Sequence, residues 1–375
     1  MSSSKLNDFL QSSRRYDEDI LGKKRPVTVV IGNESCDLDS AVSSITYAYF
    51  LSLESPPDCA VVPVINVLRK HYDVKTEVKY FLNHNNIEDN MLVFRDEIDL
   101  NALHSANRLE LVLVDHHVLP ADMSALSAAV TRVLDHRPRV DTCVTSSPHV
   151  QVDIRPVGSC VTLVGRHLDS KGLLSDRQVA TLVYGTILLD TSNFSPITKK
   201  ATDLDREVAA LCETKAHVSN AKDLYDRLVA AKTDTSRLST YSLLIKDMKK
   251  VHGIPLSVLT MSVKDFLERP DAEANIKEFC TEHEARVMLI LGVIVTGGSQ
   301  LRDLFIYPNT CQPLADKIEE HLKASTAPKL DLHMVENKFG GKIFKEINTY
   351  STRKQVLPIV ERAILSYDSE TRTGS

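Results

Sequence analysis

Several things are missing from this 375-residue chain, and each absence narrows what it does. No apolar run reaches the roughly 18–20 residues that a membrane span needs, and the N-terminus has no apolar leader core. Ser12, Ser13, Arg14 and Arg15 are offset by Asp8, Asp17, Glu18 and Asp19, which argues against a mitochondrial presequence. The seven cysteines are odd in number and form no CxxC pair, so a zinc–thiolate site and a secreted disulfide framework both lose support. Reduced thiols in the cytoplasm, or also in the nucleus, are the expectation. Positive charge is not in excess: the formal balance is −5, which gives non-specific nucleic-acid binding no support. There is no GxxxxGK[ST] loop, no GxGxxG after a strand and no GxSxG elbow. Internal repeats and a Pro/Gly/Ser linker are absent too.

What is present is a chain with 43% apolar and 25% charged residues. Its length suits two or three domains, and a core of that size needs no disulfide or structural metal. In the first half, short β-branched runs alternate with helical stretches. Pro26–Ile31, Ala60–Asn66, Met91–Phe94, Glu110–Val114 and Thr131–Leu134 read as strands. Asp39–Leu53, Cys160–Leu168 and Gln178–Leu189 read as helices. Continuous apolar runs with helices between them predict an α/β fold with a mostly parallel sheet. From Asp223 to Lys250 the chain reads as charged helix, followed by strand-like runs at Ile254–Leu259, Val287–Val295 and Leu304–Tyr307. That predicts a smaller second α/β domain. The expected organisation is an extension over 1–24, a first domain over 25–212, a linker over 213–222, a second domain over 223–367 and a polar, disordered tail over 368–375.

In open parallel sheets ligands collect beyond the carboxyl ends of the strands. Those exits are rich in acids and histidines. Gly32-Asn33-Glu34-Ser35-Cys36-Asp37-Leu38-Asp39-Ser40 follows the first strand, Asp115-His116-His117 follows Val114, Asp135-His136-Arg137 follows Leu134, and Asp190 ends the helix at Leu189. One carboxylate at a strand exit ordinarily caps the next helix. A set of them repels itself unless a cation neutralises it. Hard oxygen donors with some imidazole suit Mg²⁺ or Mn²⁺, and two such ions serve phosphoryl chemistry by activating water and clamping phosphoryl oxygens. Asp96 and Asp99 fit a helix start better than a metal site. Gly158-Ser159-Cys160 offers backbone N–H groups at a helix start, for phosphate or for simple capping.

The order D-x-D-S, V-D-H-H, L-D-H-R and a helix-closing Asp resembles the DHH phosphoesterase superfamily. GNESCDLDS, FRDEIDL, LVDHH, LDHRP and VGSC resemble more closely its Prune-type exopolyphosphatases, which group with family II inorganic pyrophosphatases and carry a C-terminal DHHA2 domain. The likeness runs from Pro26 to Leu365. It implies a DHH catalytic domain, a DHHA2 substrate-binding domain and a site in the cleft between them. It implies two Mn²⁺ or Mg²⁺ ions held by Asp37, Asp39, Asp115, His136 and Asp190, with Asp115 bridging. Asn33 stands where pyrophosphatases carry a metal-binding histidine, and Arg137 stands where the third motif has its second histidine. His116, His117 and Arg137 are then placed beside the metals as phosphate contacts or orienting groups.

Two segments of the second half stand out: Lys338-Phe339-Gly340-Gly341-Lys342, and Arg353-Lys354 after Ser351-Thr352. The resemblance makes Arg353 and Lys354 substrate cations, with Lys200 as a further one. It implies hydrolysis of phosphoanhydride bonds in short-chain polyphosphate, with cyclic-nucleotide phosphodiesterase activity at the side. Two alternatives stay open: a regulatory scaffold with weakened catalysis that binds signalling partners of the nucleoside diphosphate kinase type, and an oligonucleotide-degrading DHH phosphodiesterase. The second lacks its usual GGGH-like segment, since GG occurs only in VTGGSQ and KFGGKI. Neither a membrane nor a nucleic acid is an expected partner.

Overall fold

Valine and isoleucine carry two substituents on Cβ, which suits extended backbone packed on both faces. Val27–Ile31 is such a segment, buried throughout, and it forms the centre of a parallel sheet in the computed structural model. The structure describes residues 4–15, 25–142, 144–216, 220–296 and 299–373. Cys143, Gly297, Gly298, residues 1–3 and 16–24 of the expected extension, 217–219 of the expected linker and 374–375 of the expected tail therefore lie outside the described residues. The chain divides into two units, Met1–Asp234 and Thr235–Ser375.

The first unit runs α1 (Lys5–Arg14), β1 (Val27–Ile31), α2 (Leu38–Ser52), β2 (Ala60–Ile65), α3 (Thr76–His84), β3 (Val93–Phe94), α4 (Leu100–Ser105), β4 (Leu109–Val114), β5 (Val130–Asp135), β6 (Gln151–Ile154), α5 (Cys160–Ser170), α6 (Arg177–Asp190), α7 (Asp203–Ala216) and α8 (Ala221–Thr233). Its six strands lie in the order β3-β2-β1-β4-β5-β6, all parallel. Side chains alternate between faces: Val27, Val29 and Ile31 pack with Leu111 and Leu113 under Met123 and Leu126, whereas Val30 and Val112 face α2, α5 and α6. Strand order reverses at β1, which pairs with both β2 and β4. A doubly wound sheet opens its crevice at that switch point. The exits of β1 and β4 carry the Asp37–Asp39 and Asp115 segments.

The second unit runs α9 (Thr240–Lys246), β7 (Met248–Val251), β8 (Ile254–Leu259), α10 (Val263–Leu267), α11 (Ala272–Glu282), β9 (Met288–Thr296), β10 (Ser299–Tyr307), α12 (Gln312–Ala324), β11 (Leu332–Lys338), β12 (Gly341–Glu346) and α13 (Arg353–Thr373). Its mixed six-stranded sheet has the order β11-β12-β10-β9-β8-β7, with only β8 and β9 parallel. Leu289 and Leu291 face α12 and α13, while Met288 and Ile290 face α9, α10 and α11.

The structure departs from expectation in four places. Leu6 and Leu10 of α1 are fully buried in the first core, so residues 5–14 belong to that domain. Helix α8 packs through Leu224 and Leu228 into the same core, which moves the boundary from 223 to Asp234/Thr235. Within the stretch 223–250, Asp234 turns extended, Ser239 caps a new helix and Lys249 and Lys250 stand exposed on an edge strand, whose charges block further pairing. Asp368–Thr373, expected to be disordered, continues α13, tied by Arg286 to Asp368 and Lys317 to Glu370.

Candidate metal centre

The first turn of α2 presents two aspartates with different tasks. Asp37 is the N-cap and accepts from Ser40 N at 3.1 Å. Asp39 is buried and accepts from the first free N–H groups of α5: Cys160 N to Oδ2 at 2.7 Å and Val161 N to Oδ1 at 2.8 Å. An anion suits a helix N-terminus. These amides are therefore occupied by Asp39, and Gly158 N by Asp205 Oδ2 at 2.8 Å, so of the two expected uses, phosphate or capping, the carboxylates take the capping one. Cys160 is fully buried, and burial pushes its thiol far up, away from nucleophile chemistry.

Asp115 ends β4 in the left-handed region at φ 60°, while its N–H still extends the ladder to Leu134 O at 2.8 Å. Its Oδ2 is satisfied by Asn33 Nδ2 and Ser40 Oγ, each at 2.7 Å. Its Oδ1 is buried and makes no well-aligned hydrogen bond, although His136 Nε2 lies at 3.3 Å and Arg137 Nη1 at 3.0 Å. Buried oxygens are rarely left so. His136 turns Nδ1 to Val157 O at 3.0 Å, which leaves Nε2 facing Asp115 and, at 3.7 Å, Asp39 Oδ2. One oxygen each from Asp39 and Asp115 and one His136 nitrogen lie within 4.8 Å of one another.

The charges are crowded. Burial, then Asp115 and Asp190, push Asp39 up well beyond the usual carboxylate range. Burial and Asp37 push Asp190 up to about 6. Burial pulls His136 down, but Asp115 and Asp39 outweigh it and raise the imidazole to about 9. A proton on Nε2 thus holds the carboxylates together, and a divalent cation is the group that displaces such a proton from a ligand set. The donor set, the unmatched Asp115 oxygen and the orienting bond from His136 to a carbonyl all fit a metal ion.

The remaining expected residues distribute as follows. Asp37 and Asp190 stand outside the group of three, although their charges reach it. His117 has no free ring nitrogen: Nδ1 bonds the Asp135 carboxylate and Nε2 accepts from Val140 N at 2.9 Å. It fastens the loop after β5, so of its two expected roles, phosphate contact or orienting group, this bonding fits the second. His116 donates Nδ1–H to Val114 O at 2.9 Å, and burial lowers its pKa. Asn33 does not offer its oxygen to an ion. Oδ1 accepts from Ser35 N at 2.8 Å and Cys36 N at 3.2 Å, and its amide nitrogen holds Asp115 instead. Arg137 is 44% exposed at the side chain and bonds the Asp115 carbonyl. Lys200 is exposed. In the second unit, Arg353 is paired with Asp247 through its carboxylate and, at 2.8 Å, its carbonyl, while Lys354 is exposed. Lys338–Lys342 is a hairpin turn, with Phe339 and Gly340 at φ 53° and 82°.

Sequence reasoning gave no role to Ser40, Asp135 or Asp205. Asp135 takes the His136 and Arg137 amides at 2.7 and 3.2 Å, and buried Asp205 holds Gly158, Thr162 and Thr202. Their signal is weak because a buried aspartate that organises loops looks, in sequence, like any capping aspartate.

A DHH family N-terminal domain matches residues 27–187 and a DHHA2 domain matches residues 226–363. The exopolyphosphatase PRUNE1 of Rattus norvegicus is 34% identical over 98% of this chain and 81% of its own length. That of Mus musculus is 36% identical over 99% and 82%. A manganese-dependent inorganic pyrophosphatase of Methanothrix thermoacetophila is 25% identical over 89% and 97%. With both domains matched in order and the PRUNE1 likeness running nearly end to end, the chain belongs to the DHH phosphoesterase family, in the branch that joins a DHH domain to a DHHA2 domain.

Proposed function

We propose that this protein is an exopolyphosphatase that uses divalent metal, Mn²⁺ or Mg²⁺, to hydrolyse phosphoanhydride bonds of short linear polyphosphate. The observation that carries this reading is the buried group of Asp39, Asp115 and His136, with one Asp115 oxygen left for a cation. The names of the PRUNE1 and pyrophosphatase relatives support the substrate class. Asp39, Asp115 and His136 would hold one ion, and Asp37 and Asp190 beside them would help to hold a second. Bound there, the ions supply a more acidic water and neutralise phosphoryl oxygens. The helix amides of Cys160 and Val161 fix Asp39, and Ser40 and Asn33 fix Asp115, so the carboxylates need no reorganisation when the ions arrive. Arg137, with its side chain 44% exposed, takes charge on the phosphoryl group. Lys200 and Lys354 neutralise the leaving chain, and Arg353 does so in exchange with Asp247.

Arg137 also favours a second reading. Its guanidinium, 3.0 Å from Asp115 Oδ1, competes with a cation for the same oxygen and weakens catalysis, which leaves the chain a regulatory scaffold. One experiment separates the two. Phosphate release from triphosphate is measured with Mn²⁺ or Mg²⁺, alongside Mn²⁺ binding by calorimetry, for the wild type and Asp115→Ala. Release that needs metal and is lost in the variant supports the hydrolase. Metal binding without release leaves the regulatory reading, and no metal binding in the wild type overturns the centre itself.

A further inference from the structure

Lys354, Pro358 and Arg362 recur every fourth residue along α13 and so share one face of the helix. That face lines two grooves of about 500 and 510 Å³, which have Ala327 and Arg362 in common. Lys354, Gln355 and Pro358 line the first, with Pro328 opposite them in sequence. The second continues past Arg362 along Ile359, Glu320 and His321. Lys354 and Arg362 are exposed. Neither has an ion pair or a side-chain hydrogen bond among the described residues, unlike the cations around them: Lys317 is paired with Glu370, Lys323 and Lys342 with Glu319, and Arg353 with Asp247. Glu320 is the one acid lining either groove, and Lys317 Nζ stands 3.8 Å from it. The lining thus carries two uncompensated cations.

Eight residues of helix separate them, about 12 Å along the axis. A linear anion with a charge on every unit can span both. Arg supplies a planar fork for phosphoryl oxygens and Lys a mobile point charge. We propose that this groove along α13 binds linear polyphosphate, so that a long chain is held more tightly than triphosphate. The inference rests on the polyphosphate reading above and extends it to chain length.

The test uses the full chain. KM and kcat are measured for triphosphate and for a long linear polyphosphate, and binding of end-labelled long polyphosphate is followed by fluorescence anisotropy without metal. Arg362→Ala should raise KM and Kd for the long chain about fivefold, the scale of one exposed charge contact. It should leave triphosphate kinetics unchanged, and Arg362→Lys should recover part of the loss. Lys264→Ala, which removes an exposed lysine of α10, should change nothing and so controls for general attraction. Equal effects on both substrates, or no effect on either, would overturn the groove. If the wild type hydrolyses neither substrate, the activity reading fails, and the anisotropy still decides: no binding, or binding indifferent to Arg362, overturns the groove as well.

Discussion

Asp115 sits at φ 60°, a conformation that costs a non-glycine residue on the order of 1–3 kcal/mol and survives only where its surroundings enforce it. Here the ladder bond to Leu134 and the bonds from Asn33 and Ser40 enforce it, and they aim Oδ1 at His136. The two histidines nearby should fail differently. His136→Ala should raise the Mn²⁺ concentration for half activity, with partial rescue by excess metal, because mass action offsets a lost ligand. His117→Ala should instead lower the melting temperature and turnover together, with no rescue, since both of its nitrogens tie down the Asp135–Val140 loop. Rescue at His117 and none at His136 would reverse the assignment. Away from the centre, Glu97 gathers Arg69, Arg14 and the Phe94 amide. Burial pushes its carboxyl up, but these donors win and hold it below the ordinary value of 4.5. A depressed carboxylate stabilises fully above that value, and the contribution is lost as pH falls through the lower folded value. Glu97→Gln should therefore cost about 1–2 kcal/mol at pH 7 in urea unfolding, and the difference should vanish in acid. The carboxylates were legible because their order and spacing are motif-like. The partners of Asn33 and His117 were not, because each lies on a separate strand exit or loop.

At the scale of elements, the exits of β1 and β4 meet because Gly32 lets the chain turn against α2. A Cβ at residue 32 would lie 2.6 Å from Ser40 Cβ and 2.9 Å from Ser40 O. Gly32→Ala should cost roughly 1–3 kcal/mol, the usual price of overpacking, and should lower activity more than that loss implies, because Ser40 bonds Asp115. An unchanged rate in a folded variant would show that the Ser40 contact is dispensable. Strands with continuous apolar runs were readable from the sequence, as β1, β2 and β4 are buried on nearly every residue. Those with exposed residues were not: β6, β7 and β11 carry polar or charged side chains at sheet edges, where periodicity is weak. The glycines of Lys338–Lys342 were conspicuous as a segment, yet only the pairing of β11 with β12 makes them a hairpin turn.

For the whole molecule, metal and folding are linked. An ion that binds only the folded chain adds about 2.7 kcal/mol at a hundredfold excess over its Kd. For a domain of this size that is several degrees. Calorimetric scans should show this Mn²⁺-dependent gain in the wild type and none in Asp115→Ala. A gain that persists in the variant would place the ion elsewhere. Among the described residues no helix is long and apolar enough to cross a membrane.

By itself the sequence determined the class of fold, the order of domains and the acids at the strand exits, since these follow from apolar runs, periodicity and local spacing. Tertiary structure decided which of those acids meet. Asp39 and Asp115 converge because β1 is the strand from which the sheet grows both ways. His136 joins them through the parallel pairing of β5 with β4, where Val114 lies opposite Leu134. It also decided that α1 and α8 belong to the first core, that the α5 amides serve Asp39, and that Arg353 is paired while Lys354 and Arg362 have no partner among the described residues. The physical reason is common to all of these: a charged or polar group takes its role from its partner, and the partner is brought by packing between segments distant in the chain.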